Sequence, residues 1–140
     1  MSLRSTFYDL PINRDKQLPH IAHAAGASDA DLCVFRSPCR ALLKGVGWVP
    51  FSAVTGTDTD TVDILIMNRG TDGNGDTLIA DVSFVAGTNA ADLTMLTIFS
   101  VPASDAVQMS EGTAISCKFT QIANGLALPG GTFVFTYEPN

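Results

Sequence analysis

Ala114-Ile115-Ser116-Cys117-Lys118-Phe119-Thr120 alternates apolar and polar side chains without a break. Successive side chains of a β-strand point to opposite faces, so Ile115, Cys117 and Phe119 share one face and turn inward. Thr132-Phe133-Val134-Phe135-Thr136-Tyr137-Glu138 repeats the device and places Phe133, Phe135 and Tyr137 together. Two such strands, each buried on one face, need a second layer to cover that face.

The rest of the chain from Asp31 has the same texture. Leu32-Cys33-Val34-Phe35 is a short apolar run closed by Ser37-Pro38, and Arg40 to Val49 is a second run ended by Pro50. Thr61 to Met67 reads as a largely buried strand. Thr77 to Phe84 alternates, with Leu78, Ala80, Val82 and Phe84 on one face, and Thr94 to Val101 ends at Pro102. These seven or eight short strands lie between turn-rich joints, spaced as Greek-key crossings require. The fold class is therefore all-β: an antiparallel β-sandwich of jelly-roll type. An immunoglobulin-like sandwich is the alternative, but its cysteine and tryptophan arrangement is missing. Helical signal is confined to Asn89-Ala90-Ala91-Asp92-Leu93, which could form one turn.

Residues 1–30 differ from this. Tyr8 to His20 mixes prolines, charges and isolated apolar residues, and Ala22 to Ser28 is small and flexible in composition. Neither period 2 nor period 3.6 persists, yet Phe7, Tyr8, Leu10, Ile12, Leu18 and Ile21 are too apolar for a solvent tail. The pattern predicts an N-terminal arm over 1–30 that orders against a neighbour, followed by a sandwich domain over 31–140. Its partner-binding candidates are Phe7, Tyr8, Leu10, Ile12, Arg14, Leu18 and Ile21. A strand and loop packed on the chain's own domain is the alternative. An arm of this kind implies a domain that folds without residues 1–25.

Charge supports assembly more than nucleic-acid binding. The chain of 140 residues has a net charge of −6. Six of its eight basic residues precede Gly47, against four acids, so the front is mildly positive and the remainder strongly negative. An acidic body repels phosphates, so no nucleic-acid partner is expected. No apolar run approaches the roughly 18–20 residues a membrane helix needs, and the first residues lack the apolar core of a secretion signal. A soluble protein made in a cytoplasm, with no membrane partner, is expected.

Little in the sequence is arranged for catalysis. Cys33, Cys39 and Cys117 lack a metal or redox spacing and read as small buried side chains. Asp72-Gly73-Asn74-Gly75-Asp76 offers oxygen ligands as a calcium loop would, but Thr77 and Ser83 occupy the positions of its essential glycine and glutamate. It reads as a hairpin turn. His20 and His23 both fall in the expected arm, where they read as solvated, leaving the expected domain without a histidine base. No catalytic residue, metal ligand or cofactor is expected. Trp48 with Phe133, Phe135 and Tyr137 reads as core, with a sugar-stacking platform as the alternative.

Val107 to Ser116, with Glu111-Gly112 leading into an alternating strand, resembles the corresponding segment of phage jelly-roll head proteins. Ala123-Asn124-Gly125-Leu126-Ala127-Leu128-Pro129-Gly130-Gly131 and the strand after it are similar to their penultimate loop and final strand, and Phe35 to Trp48 fits an early strand of the group. Across residues 31–138 the chain resembles the capsid decoration, or cement, proteins of tailed bacteriophages. The resemblance implies a structural, non-enzymatic virion protein on the capsid surface. It implies the major capsid protein as partner, self-association as a homotrimer, and arms that reach across the shell. A carbohydrate-binding jelly-roll module of a phage tail or fibre is the alternative function.

Overall fold

The structure is a computed structural model, and it describes residues 12–140. The described residues form eleven strands, nine of them in two main sheets: β1 (Arg14–His20), β2 (Ala30–Arg36), β3 (Ala41–Pro50), β4 (Val54–Thr55), β5 (Thr61–Gly70), β6 (Thr77–Ser83), β7 (Asn89–Ala90), β8 (Leu96–Ser100), β9 (Val107–Met109), β10 (Ala114–Ile122) and β11 (Gly131–Pro139). One sheet has the order β1-β11-β3-β8, with β9 continuing the edge along the first part of β3. The other has the order β2-β10-β5-β6, and β4 pairs with β7 in a small ribbon. All strand pairs in the two main sheets are antiparallel.

This order is that of a long hairpin rolled into two layers. β1 pairs with β11, β2 with β10, β3 with β8 and β9, and β5 with β6. β5 and β6 are joined by a tight turn and β8 and β9 follow one another along β3, whereas β1–β2, β2–β3, β9–β10 and β10–β11 cross between the main sheets, as do β3–β5 and β6–β8 by way of the β4–β7 ribbon. That is the jelly roll, a double Greek key. The immunoglobulin-like alternative is thereby set aside.

The core forms where the inward faces meet. Ile115, Cys117 and Phe119 of β10 and Phe133 and Phe135 of β11 are fully buried, as their alternation predicts. Trp48 from β3 and Phe84 after β6 complete an aromatic centre, their rings 5.8 Å apart. Phe35 stacks on Phe135 at 5.0 Å and meets Tyr137 at 5.4 Å, joining the two layers.

Four sequence expectations differ from the structure. Residues 14–20, placed in an arm, form β1 and pair with β11 at seven consecutive positions. An edge strand needs pairing on one side only, so it tolerates Pro19 and the charges of Arg14, Asp15 and Lys16, which also discourage pairing on its outer side. Only Leu18 and His20 supply its inward face, too few for a visible period. Residues 21–29 then lead to β2, so the division at residue 30 falls inside the roll for the described part. Asn89–Ala90 is strand rather than helical turn, held by pairing with Val54–Thr55. In β6 the register slips opposite Ile66 and Met67. The bulge turns Leu78 outward, to half exposure, while Ile79 packs on the core. The fourth difference concerns the histidines, since His20 is buried.

The hairpin turn at 71–76 is as read, and Arg69 secures it. Its guanidinium donates to the carbonyl of Gly75 and reaches Asp76 at 3.1 Å, Asp31 at 3.2 Å and the Ser116 hydroxyl at 2.9 Å. Asp72 accepts from the Asn74 backbone N–H. Among the described residues no helix is long and apolar enough to cross a membrane.

Candidate interaction surface

Antiparallel pairing sends four connections to one end of the sandwich: residues 21–29, 51–60, 84–95 and 123–130. They are tied to one another by backbone hydrogen bonds. His23 and Leu128 exchange two, at 2.8 and 2.9 Å. Phe51 N–H donates to Gly130 at 2.9 Å, Leu93 N–H to Pro50 at 2.8 Å, and Thr57 N–H to Phe84 at 3.3 Å. Side chains add more: Asn89 accepts from Gly56, Asp60 from Asn124, and Gln121 both accepts from Gly26 and donates to Ala24. The Thr57 hydroxyl also donates to the Asp60 carbonyl. With its backbone groups satisfied in this way, the tip is a built surface rather than a set of loose loops.

What this tip displays is apolar. Among the described residues, five of the nine exposed large apolar side chains stand at that end: Ile21, Phe51, Val85, Leu93 and Ile122; Met95 instead lies over Gly47 on the outer face of the β3 sheet. Ile21 is 77% exposed and Leu93 70%. Leu93 has φ 53°, a left-handed conformation that costs a leucine about 1–2 kcal/mol. The strain is held by its N–H bond to Pro50, and the side chain projects into solvent. The four connections contain Asp29, Asp58, Asp60 and Asp92 and not one lysine or arginine. Apolar side chains gathered on one acidic surface are the pattern of a contact site.

The opposite end has the complementary character. A cavity of about 650 Å³ is lined by Arg14, Pro38, Cys39, Arg40, Tyr137, Pro139 and Asn140. A second hollow of about 380 Å³ shares Pro38 and Tyr137 and adds Lys16, Leu18, Val34, Phe35 and Arg36. Together they make a groove along the open side of the roll, between the edges of β1 and β2, where four basic residues border an apolar floor. Arg36 also donates to the Gly112 carbonyl at 3.0 Å. Burial raises the Cys39 thiol pKa, with the Arg14 charge partly opposing it.

The expected partner-binding residues are spread over these features rather than gathered in one. Phe7, Tyr8 and Leu10 lie outside the described residues. Ile12 is exposed just before β1, Arg14 borders the groove, Leu18 is half-buried against the core, and Ile21 stands on the tip. Phe51, Val85, Leu93 and Ile122 were not singled out by sequence reading. Each looks like ordinary strand-end or loop chemistry, and only the roll brings them together.

The histidines are the fourth difference. His20 is buried, 8% exposed, not solvated. Its Nε2 accepts from the Trp48 indole N–H at 2.8 Å, and its Nδ1 lies 2.9 Å from the Ile21 carbonyl, to which it donates. Neutral imidazole with the proton on Nδ1 satisfies both contacts. Burial, above all, lowers the His20 pKa, and nearby His23 lowers it further while the Ile21 carbonyl opposes. His23 packs its ring on Phe119 at 4.4 Å. The folded body thus contains histidine, but His20 has both nitrogens engaged in holding the core.

Cys33 and Cys117 face each other across β2 and β10. Burial and the adjacent Cys33 thiol hold the Cys117 pKa well above the usual thiol range, which suits a packing role. Trp48 is fully buried, so no stacking platform at its indole reaches the surface. Among the described residues no three His, Cys, Asp or Glu side chains converge as a metal-ligating group.

No protein-family model matches the chain, and no curated protein matches it. Among solved structures, the chain is similar to one from infectious bursal disease virus strain Gx, with a TM-score of 0.51 and 14% identity over 89% of this chain and 32% of that one. The VP2 subviral particle of the same virus gives 0.47 and 11% identity over 89% and 32%. The chain spans about a third of the length of the solved chains it matches. At these identities the likeness is one of fold.

Proposed function

We propose that this chain is a structural, non-enzymatic virion protein that binds and stabilises the outer surface of a capsid, as decoration proteins of tailed bacteriophages do. The observation that carries the reading is the jelly-roll strand order, which aligns over 89% of the chain with part of a chain in the structure of a virus. The apolar tip on an otherwise well-packed acidic body adds to it. Such a body stays in solution alone and still offers area to bury on a lattice. The proposed partners are the major capsid protein and further copies of the chain, as a homotrimer. The proposed place is the capsid surface, after synthesis in the host cytoplasm. Residues of the described N-terminal region, Ile12, Arg14 and Ile21, remain partner-binding candidates.

The carbohydrate-binding alternative drew on the jelly-roll fold, Trp48 and the aromatic end of β11; the fold serves both readings, while Trp48, Phe133 and Phe135 lie in the core.

Particles purified from the source, labelled with antibody against this chain, test the proposal. Labelling of intact capsids and detection of the chain by mass spectrometry are expected. A chain missing from purified particles, or reached by antibody only after they are opened, would contradict it.

A further inference from the structure

We infer that the chain associates head to tail with a second copy of itself, the apolar acidic tip of one copy seated in the basic groove beside β1 and β2 of the next. This rests on the self-association in the functional reading and names its contact.

Two features of the molecule fit each other and lie at opposite ends of the roll. The tip projects Phe51, Leu93 and Ile21, all more than half exposed, on loops that hold four aspartates and no lysine or arginine. The groove is a recess floored by Pro38 and Pro139 and bordered by exposed Lys16, Arg36 and Arg40. Its larger cavity, about 650 Å³, has room for more than one of the tip's side chains. Tip against tip would face aspartates with aspartates, and groove against groove would face bases with bases. Tip into groove pairs opposite charges around apolar contacts. A patch and a complementary recess on different parts of one molecule give a heterologous contact, which closes into a ring where the rotation allows it. A trimer is one such ring.

Sedimentation of the full chain over a range of concentrations, at about 50 and about 500 mM salt, reads the contact. Association at low salt, weakened at least about tenfold at high salt, is expected for charges bordering an interface. Asp58→Lys with Asp92→Lys on the tip should weaken it at least about tenfold, and Lys16→Glu with Arg40→Glu in the groove should do the same. All four changes in one chain should restore it. These side chains are exposed, and circular dichroism of each variant verifies folding. Leu93→Asn removes the apolar projection and supplies a residue at ease at this φ. It should keep or raise the Tm and still weaken association.

A chain that stays monomeric throughout, reversals that leave association unchanged, or a four-change chain that does not recover would each overturn the inference. Tip variants that lose attachment to particles without losing self-association would also overturn it, making a shell protein the occupant and leaving the virion reading in place. Salt-sensitive, charge-swappable association of a chain missing from particles would support the contact and sink the virion reading instead.

Discussion

At the residue scale, His20 shows how a polar side chain becomes part of a core. It sits opposite Gly131 in the β1–β11 ladder and meets Trp48 and Phe133, with ring centroids 6.0 and 5.3 Å away. Protonation would put a second N–H on Nε2, pointing at the indole N–H that now donates to it. Folding therefore favours neutral His20, and its folded pKa lies below the unfolded value of about 6.5. The unfolded chain binds the proton first as pH falls. Stability is complete above about pH 6.5 and declines below it, toward the lowered folded pKa. The midpoint of urea unfolding should drop between pH 7.5 and pH 5.5, and His20→Gln should remove part of that dependence. Equal midpoints at both pH values in the parent chain would show that His20 is not held neutral. Gly131 serves the same pair by having no side chain. A Cβ there would lie 2.7 Å from the indole nitrogen, 2.7 Å from the Val49 carbonyl and 3.2 Å from His20 Nε2. Gly131→Ala should cost about 1–3 kcal/mol, the range for overpacking a fixed site. Chemical denaturation measures it, and a loss within error would mean that the indole moves freely.

At the element scale, β1 decides how the N-terminal region is understood. A strand with one apolar and one imidazole side chain on its inner face carries almost no alternation signal, so residues 14–20 resemble a tail when read in sequence. In the roll they cover one edge of β11 and bring Leu18 and His20 against the core. A chain starting at Gly26 lacks this strand. It should lose cooperative folding or melt far below the parent chain, contrary to the free-standing domain that an arm would imply. An unchanged Tm for that truncation would restore the arm reading. By contrast β10 and β11 were legible throughout, because each is a central strand that buries one face continuously. β6 was legible in extent but not in facing. Its bulge arises from pairing with β5, and a register slip leaves no mark in the strand's own residues.

At the scale of the whole molecule, the two sheets share one core, with Trp48 near its centre. A single buried tryptophan in a shared core reports the unfolding of the entire roll. Its emission should be blue-shifted and poorly quenched by iodide, and its unfolding transition should coincide with that of far-UV circular dichroism. Separate transitions would mean that the sheets unfold as independent units. The same scale sets the surface. Ile21, Phe51, Val85, Leu93 and Ile122 stand up to about a hundred residues apart in the chain, and they share one end because the rolled hairpin returns four connections to it. The all-β class, the main strands, the turn at 71–76 and the buried faces of β10 and β11 can be read from the residues alone. These follow from alternation and turn chemistry, which act between near neighbours. That residues 14–20 are a strand, that His20 lies inside with Trp48, that Leu78 faces out, and that an apolar tip stands opposite a basic groove emerges only once the chain is folded. Those depend on pairing between distant segments, whose register and proximity no local pattern encodes.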